Sequence, residues 1–143
     1  MGEREEPQVS VLVVDAANVV GSRPDGWWRD RAGAAGRLLA RLAALPGTTL
    51  TGPDGEPVAV AEVVAVLEGK ARDVPAPDGV RVVRAPGSGD DALAGFVSEL
   101  AVEGTPMLVV TADRGLRDRL PAGTTVAGPG WLLARLEAME EPG

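Results

Sequence analysis

The feature that most constrains this chain is a set of apolar runs that end in, or soon reach, carboxylates. Val9–Val14, apolar except for Ser10, runs into Asp15, with Asn18 one turn later in Asp15-Ala16-Ala17-Asn18. Met107–Val110 runs into Thr111-Ala112-Asp113, and Val82-Val83 leads to Gly87-Ser88-Gly89-Asp90-Asp91. Strands that are apolar on both faces must be covered on both, which is the condition of a buried parallel sheet. In open α/β sheets, ligands bind in the crevice at the carboxyl ends of the strands. Several carboxylates gathered at that edge repel one another unless a cation lies between them. The pattern therefore suggests a hard divalent metal.

The remaining elements follow from periodicity and turn chemistry. Val9–Val14 predicts the first strand, and Val19–Asp30 a loop rich in Gly, Pro and Ser that carries Trp27 and Trp28. A helix is expected from about Arg29 to Leu45, stopped by Pro46-Gly47, with Leu38, Leu39, Leu42 and Leu45 at helical spacing. Thr51–Pro57 reads as a surface turn, Val60–Leu67 as the second strand and Arg72–Gly79 as a loop. Val80–Arg84 is a short strand, and Ser88 caps a helix through Glu103 that buries Leu93, Phe96, Val97 and Leu100. Met107–Thr111, a short helix Arg114–Leu120, a strand Thr124–Ala127 and a closing helix Pro129–Glu140 complete the chain. This β-α-β-β-α-β-α-β-α order predicts an α/β fold, a three-layer α/β/α sandwich whose mainly parallel central sheet has about five strands. In such a sheet the first strand lies centrally, beside the strand that leads to Asp113. At 143 residues, with no repeat or internal linker, one domain (9–140) is expected behind an acidic tail (1–8).

Absences narrow the chemistry. The chain has no His, Cys or Tyr, which excludes structural zinc sites, thiol nucleophiles, Ser–His–Asp triads and tyrosyl nucleophiles. Carboxylate, Lys, Arg, Ser and Thr remain, and carboxylates holding Mg²⁺ or Mn²⁺ are the best equipped of these. No apolar run approaches the roughly 20 residues of a membrane span, so no membrane partner is expected. The acidic amino terminus lacks the pattern of a signal peptide, and with no cysteine a cytoplasmic location is the expectation.

A net charge of −7 argues at first against nucleic acid. Its distribution matters more. Glu3, Glu5, Glu6, Glu140 and Glu141 against Arg4 leave −4 on the tails, and Asp15, Glu68, Asp90, Asp91 and Asp113 contribute −5. The rest of the body is then +2. A mildly basic body around an acidic pocket is compatible with a phosphodiester substrate.

Each candidate also has an ordinary reading. Asp15 and Asp113 each stand where a helix cap is common, and Asn18 where a turn residue is common. An Asn amide can nonetheless ligate a metal through oxygen or hold a phosphate through nitrogen. Asp90 and Asp91 meet a helix dipole, and Ser88 with Asp91 fits a capping box. Capping accounts for one of the two acids. Their side chains diverge by about 100°, so one of them is expected to face the metal. Arg119 and Asp118 fit a solvated face with local Asp–Arg pairs, whereas Arg114 lies nearest the edge and could meet a phosphate. One of Trp27 and Trp28 is expected to pack and the other could stack a base. Trp131 is expected in the core. Neither a phosphate loop nor a dinucleotide fingerprint is present.

Taken together, Val-Val-Asp15-Ala-Ala-Asn18, Leu67-Glu68-Gly69-Lys70, Gly-Ser-Gly-Asp90-Asp91-Ala-Leu and Val-Val-Thr-Ala-Asp113-Arg114 resemble the NYN/PIN-like nucleases. The resemblance runs in order from about Val9 to Trp131, with Glu68 standing where related 5′ nucleases commonly carry Asp. It implies a PIN-like, Rossmann-like α/β/α sandwich and metal-assisted hydrolysis of RNA or DNA, RNA before DNA. Asp15, Asp113 and one of Asp90 or Asp91 would hold one or two Mg²⁺ or Mn²⁺ ions, with Glu68 as an outer acid. Asn18 and Arg114 would orient the phosphate, with Lys70 and Ser88 as further substrate-binding candidates. Two rivals use the same residues: a nucleotide pyrophosphohydrolase, and a non-catalytic nucleic-acid or protein-binding domain. A homodimer is left open.

Overall fold

The computed structural model of the chain describes residues 7–140. Most of the expected acidic tail therefore lies outside the described residues, and Gln8, assigned to that tail, instead opens the first strand.

The elements are β1 (Gln8–Asp15), α1 (Ala16–Val20), α2 (Arg31–Leu42), β2 (Thr49–Thr51), β3 (Pro57–Leu67), β4 (Val80–Arg84), α3 (Gly89–Val102), β5 (Met107–Val110), α4 (Arg114–Arg119), β6 (Thr125–Ala127) and α5 (Pro129–Glu140). Five strands pair in parallel in the order β4-β3-β1-β5-β6. The short β2 runs antiparallel along the first residues of β3, on the same side as β4. The fold is thus mixed α/β with a mainly parallel sheet, and β1 is its central strand. Placement of the most apolar strand at the centre follows from burial: Leu12, Val13 and Val14 are all at most 1% exposed.

Alternation along β1 divides its side chains between two cores. Leu12 and Val14 pack with Leu38, Leu39 and Leu42 of α2 and with Leu132 and Leu136 of α5. Val11 and Val13 pack with Leu93 and Val97 of α3 and with Leu116 of α4. Each fully buried Val or Leu contributes about 1.5–3 kcal/mol of transfer free energy, so both faces are strongly held. The same period of two sends Asp15 to the α3/α4 face.

Four local expectations need correcting. The segment after Asp15 is not simply loop: Ala16–Val20 forms a helical turn because the Asp15 carboxylate accepts from the Asn18 backbone N–H at 3.3 Å. The next helix starts at Arg31, since Asp30 caps it by accepting from the Gly33 N–H at 2.9 Å. It ends at Leu42, while Leu45 stays fully buried beyond it. Thr49–Thr51 forms a strand where a turn was expected to begin, drawn in by Leu50, which buries against the α2/α5 core. Trp131 is only partly buried; it packs on that core and its indole N–H donates to the Thr51 carbonyl at 3.0 Å.

Candidate functional site

At the carboxyl edge of the sheet, β1, β3 and the segments after β4 and β5 open onto one cleft of about 280 Å³. Asp15, Asn18, Glu68, Ser88, Asp90 and Asp113 line it, with Ala17 at its rim. Four chain segments thus bring acids to one place. The parallel pairing β3-β1-β5 explains this, because it points the ends of these strands the same way.

Asp15 lies deepest, 7% exposed. Its Oδ1 accepts from the Asn18 N–H and its Oδ2 accepts from the Thr111 hydroxyl at 3.0 Å. Burial pushes its carboxyl up to about 6 from an ordinary value of 3.8, and the charges of Asp90 and Glu68 push the same way. The two hydrogen bonds oppose that rise without cancelling it. Asp90, in the first turn of α3, is also raised, first by burial and then by the charge of Asp113.

Asp113 caps α4 through its Oδ1, which accepts from the Leu116 N–H at 2.9 Å. Capping and a cleft position therefore coexist in Asp113, as they do in Asp15. Asn18 is fixed by the Ala112 N–H, which donates to its Oδ1 at 2.7 Å. An N–H can only be met by the amide oxygen, and this contact fixes how the Asn18 amide is turned. The oxygen keeps a second lone pair and the nitrogen its two donors, so the metal-ligating and the phosphate-holding readings of Asn18 both stand. Ser88 caps α3, its Oγ accepting from the Asp91 N–H at 3.4 Å, and it borders the cleft.

Three expected site residues are placed elsewhere. Asp91 is not in the cleft: its side chain is 72% exposed and pairs with Arg119 at 2.8 Å, the helix turn having carried it away from Asp90. Arg114, the first residue of α4, is exposed and does not line the cleft. Lys70 follows Glu68 into a short 3₁₀ turn, which carries it to a neighbouring pocket instead.

Two features were missed by sequence reasoning. Thr111, fully buried, holds the site together: its hydroxyl donates to Asp15 and accepts from the Asp113 N–H at 3.1 Å. Its carbonyl accepts from the Arg117 guanidinium at 3.0 Å. The signal was present, a lone hydroxyl ending an apolar strand two residues before an acid. The second is the closeness of Gly89 to Glu68. A Cβ at Gly89 would collide with the Glu68 carboxylate, so the absent side chain makes room for that acid.

Among the described residues, no three acids converge on a point as a ready-made metal cage. They share one cleft and feel one another's charge without meeting. The donor set is nonetheless hard oxygen, like-charged and partly desolvated, and that chemistry fits a small dication that retains much of its water.

The fold is thus that of an α/β protein with a mainly parallel sheet and an acidic cleft at the strand ends. Comparison with solved structures finds this fold in Rae1 (YacP) from Bacillus subtilis, at a TM-score of 0.63 and 18% identity. The match covers 92% of this chain and 77% of that one. No family model matches the chain, and no curated protein matches it.

Proposed function

We propose that this protein is a metal-dependent nuclease of the PIN-like kind, a three-layer α/β/α sandwich that hydrolyses phosphodiester bonds of RNA in preference to DNA. The observation that carries the reading is the convergence of Asp15, Glu68, Asp90 and Asp113, from four chain segments, on one cleft. Unneeded like charge in partial burial destabilises a fold, so its retention calls for a cation and a use. The order of the motifs along the chain and the fold shared with Rae1 agree with this reading.

Asp15, Asp90 and Asp113 would hold Mg²⁺ or Mn²⁺, in part through its waters, with Glu68 as an outer acid. The ion would supply an activated water and charge stabilisation on the phosphate. The chain's own groups set the geometry. Asn18, locked by Ala112, offers amide N–H donors toward a phosphate oxygen, where a carboxylate would repel it. The Ser88 hydroxyl retains a proton to donate. Thr111 keeps Asp15 and the Asp113 loop in register.

The test is cleavage of labelled single-stranded RNA and DNA in Mg²⁺ or Mn²⁺ by wild type and Asp15→Asn. Metal-dependent cleavage lost in the variant is the expected result. Equal activity in both proteins, or none in either with Mn²⁺ present, refutes the proposal. Release of pyrophosphate from free nucleotides without strand cleavage would make it a pyrophosphohydrolase.

A further inference from the structure

Beside the acidic cleft lies a second, more apolar pocket of about 180 Å³, and the two share a wall made of Ala17 and Glu68. Leu67 and Val20 contribute apolar surface to it, Trp27 forms a side, and Arg31 and Lys70 stand at its margin. Its volume is well below the roughly 300–1,000 Å³ of pockets that hold drug-sized ligands, so it admits one ring system rather than a whole nucleotide. Trp27 is held from two sides: Trp28 meets it edge-on at 6.1 Å, and the Arg31 guanidinium lies 5.4 Å from its centroid.

We infer that this pocket receives a nucleobase, that of the nucleotide whose phosphate enters the acidic cleft. A flat heterocycle gains from apolar and aromatic walls and from a guanidinium plane, while its edge can donate to a carboxylate such as Glu68. The cationic margin of Arg31 and Lys70 suits the polyanionic strand on either side. Because base and phosphate are covalently tethered, two adjoining pockets of these opposite chemistries match one nucleotide unit. The pair of tryptophans thereby separates: Trp27 belongs to the pocket, while Trp28, 52% exposed and not part of the pocket lining, does not. The choice of a strand as ligand rests on the phosphodiester reading; the recognition of a base does not require turnover.

The chain has three tryptophans, hence three indole N–H resonances, and Trp27→Phe assigns the one that matters. Nucleoside 5′-monophosphates, titrated into wild type with Mg²⁺, are expected to shift the Trp27 resonance and leave Trp131 in place. Ribose 5-phosphate, which lacks the base, is expected to leave all three unmoved. Trp27→Ala is expected to weaken binding of a short single-stranded RNA about tenfold, and Trp28→Ala by less than twofold. An unmoved Trp27 resonance, or an equal response to ribose 5-phosphate, overturns the inference even if strands are cleaved. A base-dependent Trp27 shift without cleavage sustains it and refutes only the nuclease reading. Trp27→Ala is to be compared only after its thermal transition is shown to match wild type, and the titrations of wild type decide the matter otherwise.

Discussion

The two ends of the sheet carry hollows of comparable size and opposite character. At the amino ends of β1 and β5, a hollow of about 360 Å³ is bordered by Gln8, Ser10, Asp54, Glu56 and Thr125. At the carboxyl ends the smaller acidic cleft is bordered by acids from four segments. The acids of the larger hollow both come from one turn, where Asp54 Oδ1 accepts from the Glu56 N–H at 3.0 Å and so serves the turn itself. Those of the smaller cleft are distant in the chain, perturb one another and rest on a buried threonine. Volume does not distinguish the ends; the convergence of separately held charge does.

That contrast breaks most readily at Asp15. Asp15→Asn is expected to lower metal-dependent cleavage by roughly two orders of magnitude or more, whereas Asp54→Asn at the other end leaves the rate within about twofold. Matching losses in a gel assay would erase the distinction between the ends. Next comes Thr111→Val, which strands a buried carboxylate oxygen and the Asp113 N–H. A cost of about 1–3 kcal/mol is expected in urea unfolding.

The protonation of Asp15 gives a third test. Its folded-state carboxyl sits at about 6, above the ordinary 3.8, so the native protein binds this proton more tightly than the unfolded chain. The group's contribution is therefore most favourable below pH 3.8, is lost as pH rises through about 6, and is flat above. Relative to Asp15→Asn, metal-free wild type should lose ~3 kcal/mol across that window, and Mg²⁺ should reduce the loss. Parallel stability curves for the two proteins would remove the claim that burial strains this acid.

Gly89→Ala sharpens the comparison further. The new methyl must displace Glu68, so metal affinity read by calorimetry should fall about tenfold in the single variant, with no added loss when Glu68→Ala is already present. Additive losses would mean that Gly89 acts independently of Glu68. The smallest effect belongs to Asp91→Ala. Its exposed pair with Arg119 is worth at most about 1 kcal/mol, and cleavage should stay within about twofold while Asp90→Ala abolishes most of it. Equal losses from the two variants would return Asp91 to the site.

Much of this was readable along the chain because the strands are unambiguous. Val9–Val14 and Met107–Val110 have few polar interruptions, and an apolar run of that length between turn residues leaves little choice but a buried strand. Their carboxyl ends then locate Asp15 and Asp113 at one edge. The short elements escaped for the converse reason. Leu50 joins β2 to the sheet through burial against a distant helix, and Ala16–Val20 turns helical through a single cap, neither of which has a period to detect.

Local sequence thus determined the strands, their order of use and the candidate acids, since alternation and turn chemistry act between near neighbours. Only the tertiary structure decided which of Asp90 and Asp91 lines the cleft, that Ala112 fixes the Asn18 amide, and that Thr111 binds two acid-bearing segments together. Those outcomes depend on a helix's rotation about its axis and on partners some ninety residues away. Such distances are fixed by packing between layers and leave no trace in the neighbouring residues.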